Sequence, residues 1–239
     1  MFPQKAPHPQ QSGQSKKVML IFPPDWYPSE PYLSLPTLTA FLRGSGHRVV
    51  QKDMNLEMYD WFFSEEGLNQ ILERTSRKHT HFDITRLIEK AESAKTIVRS
   101  QEFYNVDKLE WAMNVFREVT DAISLAYAPA KICMPPMETD LNYKLFISSD
   151  ILEAVEDSRV NVYRDVFDHI LKPAIEAEEP DVIGISIVLK QQLFSSMTFC
   201  AMIKEQFPGI HITIGGNTEL DCVMYCHKLT AYFHFLIRP

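Results

Sequence analysis

Two segments of this 239-residue chain carry apolar residues at consecutive positions instead of alternating ones: Lys16 to Phe22 (KKVMLIF) and Pro180 to Leu189 (PDVIGISIVL). A strand wetted on one face alternates apolar with polar residues. An unbroken apolar, β-branched run signals burial on both faces, the situation of strands in a parallel sheet covered by helices. The flanking sequence agrees. After Phe22 the pair Pro23-Pro24 stops the first strand, and an aromatic, proline-rich loop runs from Asp25 to Ser34. Ser34 is an expected N-cap, Pro36 sits in a first helical turn, and Leu35, Leu38, Phe41 and Leu42 follow at helical spacing until Gly44 and Gly46. His47 to Met54 (HRVVQKDM) is the next expected strand, which completes a right-handed βαβ unit. The second run leads to an expected helix from Leu193 to Phe207, a Pro208-Gly209 stop and a strand from Ile210 to Ile214 ending at Gly215-Gly216-Asn217. Thr218 to Lys228 reads as a further helix and Ala231 to Ile237 (AYFHFLI) as a last strand. The expected fold class is α/β, a doubly wound, flavodoxin-like, five-stranded parallel sheet.

Between the two halves, residues 56–179 are expected to form a large, mainly helical insertion in a domain spanning 17–239. Its apolar residues recur at helical spacing in Leu68, Ile71 and Leu72, in Ile84, Leu87 and Ile88, in Leu109, Met113 and Phe116, and in Val162, Val166, Phe167 and Ile170. A break at Pro129 to Pro136 divides it. Residues 1–16 are rich in Pro, Gln, Ser and Lys, and read as a disordered leader and not a signal peptide. The run Val18 to Phe22 is too short for a membrane span, so a cytoplasmic location is expected, with no membrane partner. A net charge of −7 without a basic stripe argues against nucleic acid as a partner. Four cysteines, Cys133, Cys200, Cys222 and Cys226, do not make a disulfide framework in a chain of this size, and Cys200 falls in an apolar helical pattern typical of a core.

Ligands of open parallel sheets bind beyond the carboxyl ends of the strands, where strand order reverses. Here those exits are Pro23-Pro24-Asp25, Asp53-Met54-Asn55, Ser186 to Lys190, and Gly215-Gly216-Asn217. Each has two readings. The glycine pair lets a ligand approach bare backbone or simply makes a tight turn. Ser186 offers its hydroxyl to a ligand or satisfies it on backbone, and Asp53 meets a ribose or is a solvated strand-end carboxylate. Trp26, Tyr27 and Tyr32 pack against the insertion or cover a flat ring. His79 and His81 have no third ligand nearby in the sequence, which argues against a metal site. The first exit reads FPPDWYP, with no glycine-rich loop, which argues against a nucleotide-dependent Rossmann enzyme.

Spacing sharpens these readings. Ser186-x-Val188 is followed by residues 189–214, 26 positions, and then by Gly215-Gly216, with Asp53 standing well upstream. This arrangement resembles the cobalamin-binding domain family, whose motif runs D-x-H-x-x-G, then S-x-L, then a double glycine. Phe22-Pro23-Pro24 followed by Ser34-Leu35-Pro36 and Leu38 is similar to the N-terminal domains of cobalamin-dependent radical S-adenosylmethionine proteins. The resemblance covers about Lys17 to Asn55 and Pro180 to Asn217. It implies cobalamin as the cofactor, with Pro24, Ser34, Asp53, Asn55, Ser186, Val188, Gly215, Gly216 and Asn217 around it.

The chain departs from the family pattern at three places. Asn55 replaces the histidine that ligates cobalt, Met58 replaces a glycine, and Val188 replaces Leu. A neutral carboxamide is a poor ligand where imidazole suits the metal, so the resemblance implies base-off cobalamin without a protein histidine ligand. The radical branch also needs C-x3-C-x2-C for its cluster. Cys222 and Cys226 would require a third cysteine at 229, which is Leu229. The expectation is therefore a cobalamin-binding module with no iron–sulfur cluster in this chain, no metal ligands and no catalytic residues of its own. It would lack the catalytic barrel and depend on a separate radical S-adenosylmethionine barrel protein. The competing expectation is a cofactor-free regulatory or protein-interaction module on the same scaffold, with the insertion as its partner surface.

Overall fold

The computed structural model describes residues 15–74, 83–133, 138–140, 143 and 148–216. Four strands make one all-parallel sheet: β1 (Lys17–Phe22), β2 (Arg48–Asp53), β5 (Val182–Ser186) and β6 (His211–Gly215), in the order β2-β1-β5-β6. The fifth strand expected at Ala231 to Ile237 lies outside the described residues. The unbroken apolar runs are buried on both faces, as the sequence pattern requires. Met19 and Ile21 of β1 point into the larger core with Ile183, Ile185 and Ile212, while Val18, Leu20 and Phe22 point to the opposite face with Leu35 and Val49.

Helix α1 (Ser34–Gly44) connects β1 to β2 and packs on the Val18 face. Helix α9 (Gln192–Gln206) connects β5 to β6 and packs on the Met19 face through Leu193, Phe194, Met197 and Phe199. Helices thus leave β1 and β5 to opposite sides, and strand order reverses between these two neighbours. The N-cap differs from expectation: Leu33 holds that position without a side-chain cap, and Ser34 is the first helical residue.

The insertion begins at the last residue of β2. Asp53 caps α2 (Met54–Phe62) by accepting from the Leu56 amide at 3.0 Å, so strand passes into helix without a loop. Helices α3 (Glu65–Glu73), α4 (Ile84–Val98), α5 (Val106–Ala126), α6 (Ser148–Glu156), α7 (Val162–Val166) and α8 (Lys172–Glu178) follow, with a π-helical turn at Phe167–Leu171 between the last two. Leu68, Ile71, Leu87, Phe116, Val162, Val166 and Phe167, all read as helix-face residues, join the core on the Met19 side. The break near Pro129 is a small antiparallel pair, β3 (Lys131–Cys133) with β4 (Glu138–Asp140). The insertion therefore thickens one face of the sheet and leaves the α1 face thin.

Candidate functional site

The exits of β1 and β5 are joined by buried polar side chains, most of which the sequence reading did not single out. Gln192 is fully buried at the start of α9. Its Nε2 donates to the Pro23 carbonyl at 2.9 Å, and its Oε1 accepts from the amides of Val188 at 2.8 Å and Leu189 at 3.1 Å. Ser195 Oγ donates to the Pro24 carbonyl at 3.4 Å. Asn55 is also buried, and its Oδ1 accepts from the Trp26 amide at 3.1 Å. Between them, Asp25 takes a positive φ of 79°, uncommon for a side-chain-bearing residue, and its carboxylate accepts from Tyr163 Oη of α7 at 2.6 Å. The crevice at the strand ends is filled by the protein's own hydrogen bonds.

Pro24, Asn55 and Val188 thus hold the two exit loops in register. Asp53 has its carboxylate pKa raised by burial, against the amides of Leu56 and Asn55 that pull it down. One sequence signal does mark the joint. Gln192, Ser195 and Ser196 stand at i, i+3 and i+4 of an otherwise apolar helix, the spacing of a polar stripe facing the interior.

The remaining predicted residues converge elsewhere. Because α1 covers β1 and β2 and the insertion lies on the other face, the α1 side of β5 and β6 has no covering helix among the described residues. A cleft of about 1090 Å³ opens there between α1 and the sheet. Its floor follows the sheet register: Val18 beside Val182, Leu20 beside Gly184 and then Thr213, and Ser186 beside Gly215. Its wall is Tyr32, Ser34, Thr37, Leu38 and Phe41. Ser34, Ser186, Gly215 and Gly216, four residues from three separate segments, share this one cleft.

The two glycines do different things. At Gly215 a Cβ would meet nothing within 4 Å, so that backbone is bare toward open space. At Gly216, φ is 143° and a Cβ would fall 1.7 Å from the Ile187 carbonyl oxygen. That glycine is required by chain packing whether or not a ligand binds. Gly184 keeps the floor low, since a Cβ there would press to 2.9 Å on the Leu20 side chain. Ser34 Oγ is buried with no hydrogen-bond partner among the described residues. A long cleft with an apolar floor, the bare backbone of Gly215 and a hydroxyl unpartnered among the described residues fits a flat, mostly apolar group that brings one polar contact.

Aromatic residues of the first loop close over the same face. Trp26 and Tyr32 pack edge to face at 5.4 Å, and both rings contact Phe22, at 5.9 and 5.6 Å. They pack on the α1 side and not against the insertion. Cys200 packs against the core, and burial pushes its thiol up to about 12, which leaves it unreactive. Among the described residues no three His, Cys, Asp or Glu side chains gather as a metal site, and no helix is long and apolar enough to cross a membrane. Asn217, Cys222, Cys226, Leu229, His79 and His81 lie outside the described residues. No protein-family model matches the chain, and no curated protein or solved structure matches it.

Proposed function

We propose that this chain is a cobalamin-binding module in which the α1-side cleft holds the cofactor's nucleotide tail against the backbone of Gly215 and the hydroxyls of Ser34 and Ser186. The reading rests on one observation: residues selected from the sequence in three separate segments line a single cleft, which contains a buried hydroxyl without a partner among the described residues. The finer fold that goes with it is a five-stranded flavodoxin-like sheet. With its tail in the cleft, cobalamin is base-off. Asn55 supplies no lower ligand, because its carboxamide oxygen is engaged by the Trp26 amide. The corrin supplies the methyl-group chemistry and the protein supplies placement.

The test is uptake of cobalamin by the purified 239-residue chain, followed by desalting and visible spectroscopy. A retained stoichiometric base-off spectrum is expected, and Gly215→Leu should abolish retention with an unchanged melting temperature. A colourless desalted protein sinks the proposal, as does a cob(II)alamin spectrum showing a histidine nitrogen on cobalt. The first result makes the cofactor-free interaction module the better account of the same cleft; the second shows cobalamin held in another way than the cleft and Asn55 imply.

A further inference from the structure

The closed end of the α4–α5 hairpin is held in order while it presents apolar rings to solvent. Helices α4 and α5 are 15 and 21 residues long, so this end stands about 20–30 Å from the ends that join the rest of the chain. A short 3₁₀ turn, Gln101–Tyr104, lies between them. Ser100 Oγ accepts from the Glu102 amide at 3.2 Å, and Asn105 Oδ1 accepts from the Lys108 amide at 3.1 Å. Lys108 pairs with Glu102, and Arg99 pairs with Asp60 of α2. Held this way, Tyr104 is 79% exposed, Val106 76%, and Phe103 and Trp111 41% each. The Phe103 and Tyr104 rings lie edge to face at 5.5 Å and form an aromatic knob. Beside it a cleft of about 600 Å³ opens between Thr96 and Ile97 of α4 and Lys108 and Trp111 of α5. Clustered exposed apolar surface of this kind marks a place where something packs.

We propose that this end of the hairpin is a self-association surface, on which the Phe103–Tyr104 knob of one copy enters the α4–α5 cleft of a second. A two-fold interface must be self-complementary, and here the knob and a cleft to receive it adjoin. Charge permits the approach. The chain carries a net −7, yet residues 93–111 balance Lys95, Arg99 and Lys108 against Glu102, Asp107 and Glu110. At their exposures the rings of Phe103, Tyr104 and Trp111 present roughly 250–400 Å² to solvent. A standard interface buries about 800 Å² per partner, a little over half of it apolar, so the rings and Val106 supply most of that apolar share. Side chains already ordered at the tip lose little further freedom on contact. Cobalamin plays no part in this contact, which goes beyond the cofactor reading.

Sedimentation velocity of the purified 239-residue chain in reducing buffer, from about 1 to 100 µM, tests this. A reversible monomer–dimer equilibrium is expected. Tyr104→Asp puts a charge on the knob and Trp111→Ser removes a cleft wall, and each should raise the dimer dissociation constant about tenfold or more. Leu125→Ser, an exposed apolar position near the other end of α5, should leave it unchanged. All three side chains are exposed, so melting temperatures at low concentration should stay near wild type. A chain that is monomeric throughout the range overturns the proposal. A dimer left intact by Tyr104→Asp and Trp111→Ser also overturns it and puts the interface elsewhere, as does a dimer that Leu125→Ser weakens equally. Failure of cobalamin uptake, measured separately, removes the cofactor reading and leaves this result untouched.

Discussion

Substituting Gly216 by alanine separates packing from ligand geometry, and the structure supports a magnitude. Two penalties act together. Holding a side-chain-bearing residue at a φ of 143° costs about 1–3 kcal/mol. The new methyl also lies 1.7 Å from the Ile187 carbonyl oxygen and 2.6 Å from its carbon, an overlap that only a backbone shift relieves. That shift pulls on the Ile187 amide, which donates to the Gly215 carbonyl at 2.7 Å, and overpacking of this kind costs a further 1–3 kcal/mol, roughly. The expected loss is about 2–6 kcal/mol, a large fraction of the roughly 5–15 kcal/mol that holds a domain together. In urea, with a slope of about 2–3 kcal/mol per molar, the midpoint should fall by about 1–3 M. Gly215→Ala, whose Cβ meets nothing within 4 Å, should stay within about 1 kcal/mol of wild type. If Gly216→Ala also stays within about 1 kcal/mol, the packing argument is wrong.

Gln192→Leu strands the Val188 and Leu189 amides and the Pro23 carbonyl, and should cost about 2–5 kcal/mol in chemical denaturation; a loss below about 1 kcal/mol refutes the joint between the loops. Asn55→Ala removes the acceptor for the Trp26 amide and should cost about 1–3 kcal/mol, with Trp26 fluorescence changing before the global transition; coincident transitions would count against a local anchor. Asp53 has a folded-state pKa above 3.8, so its protonated form contributes stability that is present below 3.8 and lost as pH rises through the folded value. The stability of wild type relative to Asp53→Asn should therefore decline with rising pH across that window in thermal melts, and a flat difference refutes it. Asp157 is held down to about 2, first by the hydrogen bond from the Arg159 side chain, so its contribution is present above 3.8 and lost as pH falls toward 2. Arg159→Gln should return its midpoint toward 3.8 in an NMR titration.

The parallel sheet was legible because strands of such a sheet carry apolar residues at consecutive positions. The strand cores at Val18 to Phe22 and Val182 to Ser186 are where consecutive apolar residues put them. Ends were less legible. Pro180 to Leu189 reads as one strand, but pairing stops at Ser186 because the Val188 and Leu189 amides turn away to Gln192. Ser34 reads as a cap, yet Leu33 takes that place and the serine hydroxyl is left unpartnered among the described residues. Both outcomes depend on tertiary partners far away in sequence. The buried joint of Asp25 with Tyr163 spans 138 residues, and no local pattern could pair them.

The same long-range joint explains why the open surface lies on the α1 side of the sheet and not at the strand ends. Polar groups at the reversal of strand order are costly when buried unless each is paired. Gln192 answers this by bonding three backbone groups, Asn55 and Tyr163 answer it for Trp26 and Asp25, and together they fill the crevice. A ligand cannot enter there without breaking several of these bonds. On the α1 side the floor between Leu20 and Gly215 presents glycine backbone and an apolar groove, which a ligand enters without breaking any of these bonds. The insertion fixes this asymmetry: Tyr163 comes from it, and its helices thicken only the Met19 face. Its place in the fold is therefore to close one route to the sheet and leave the other.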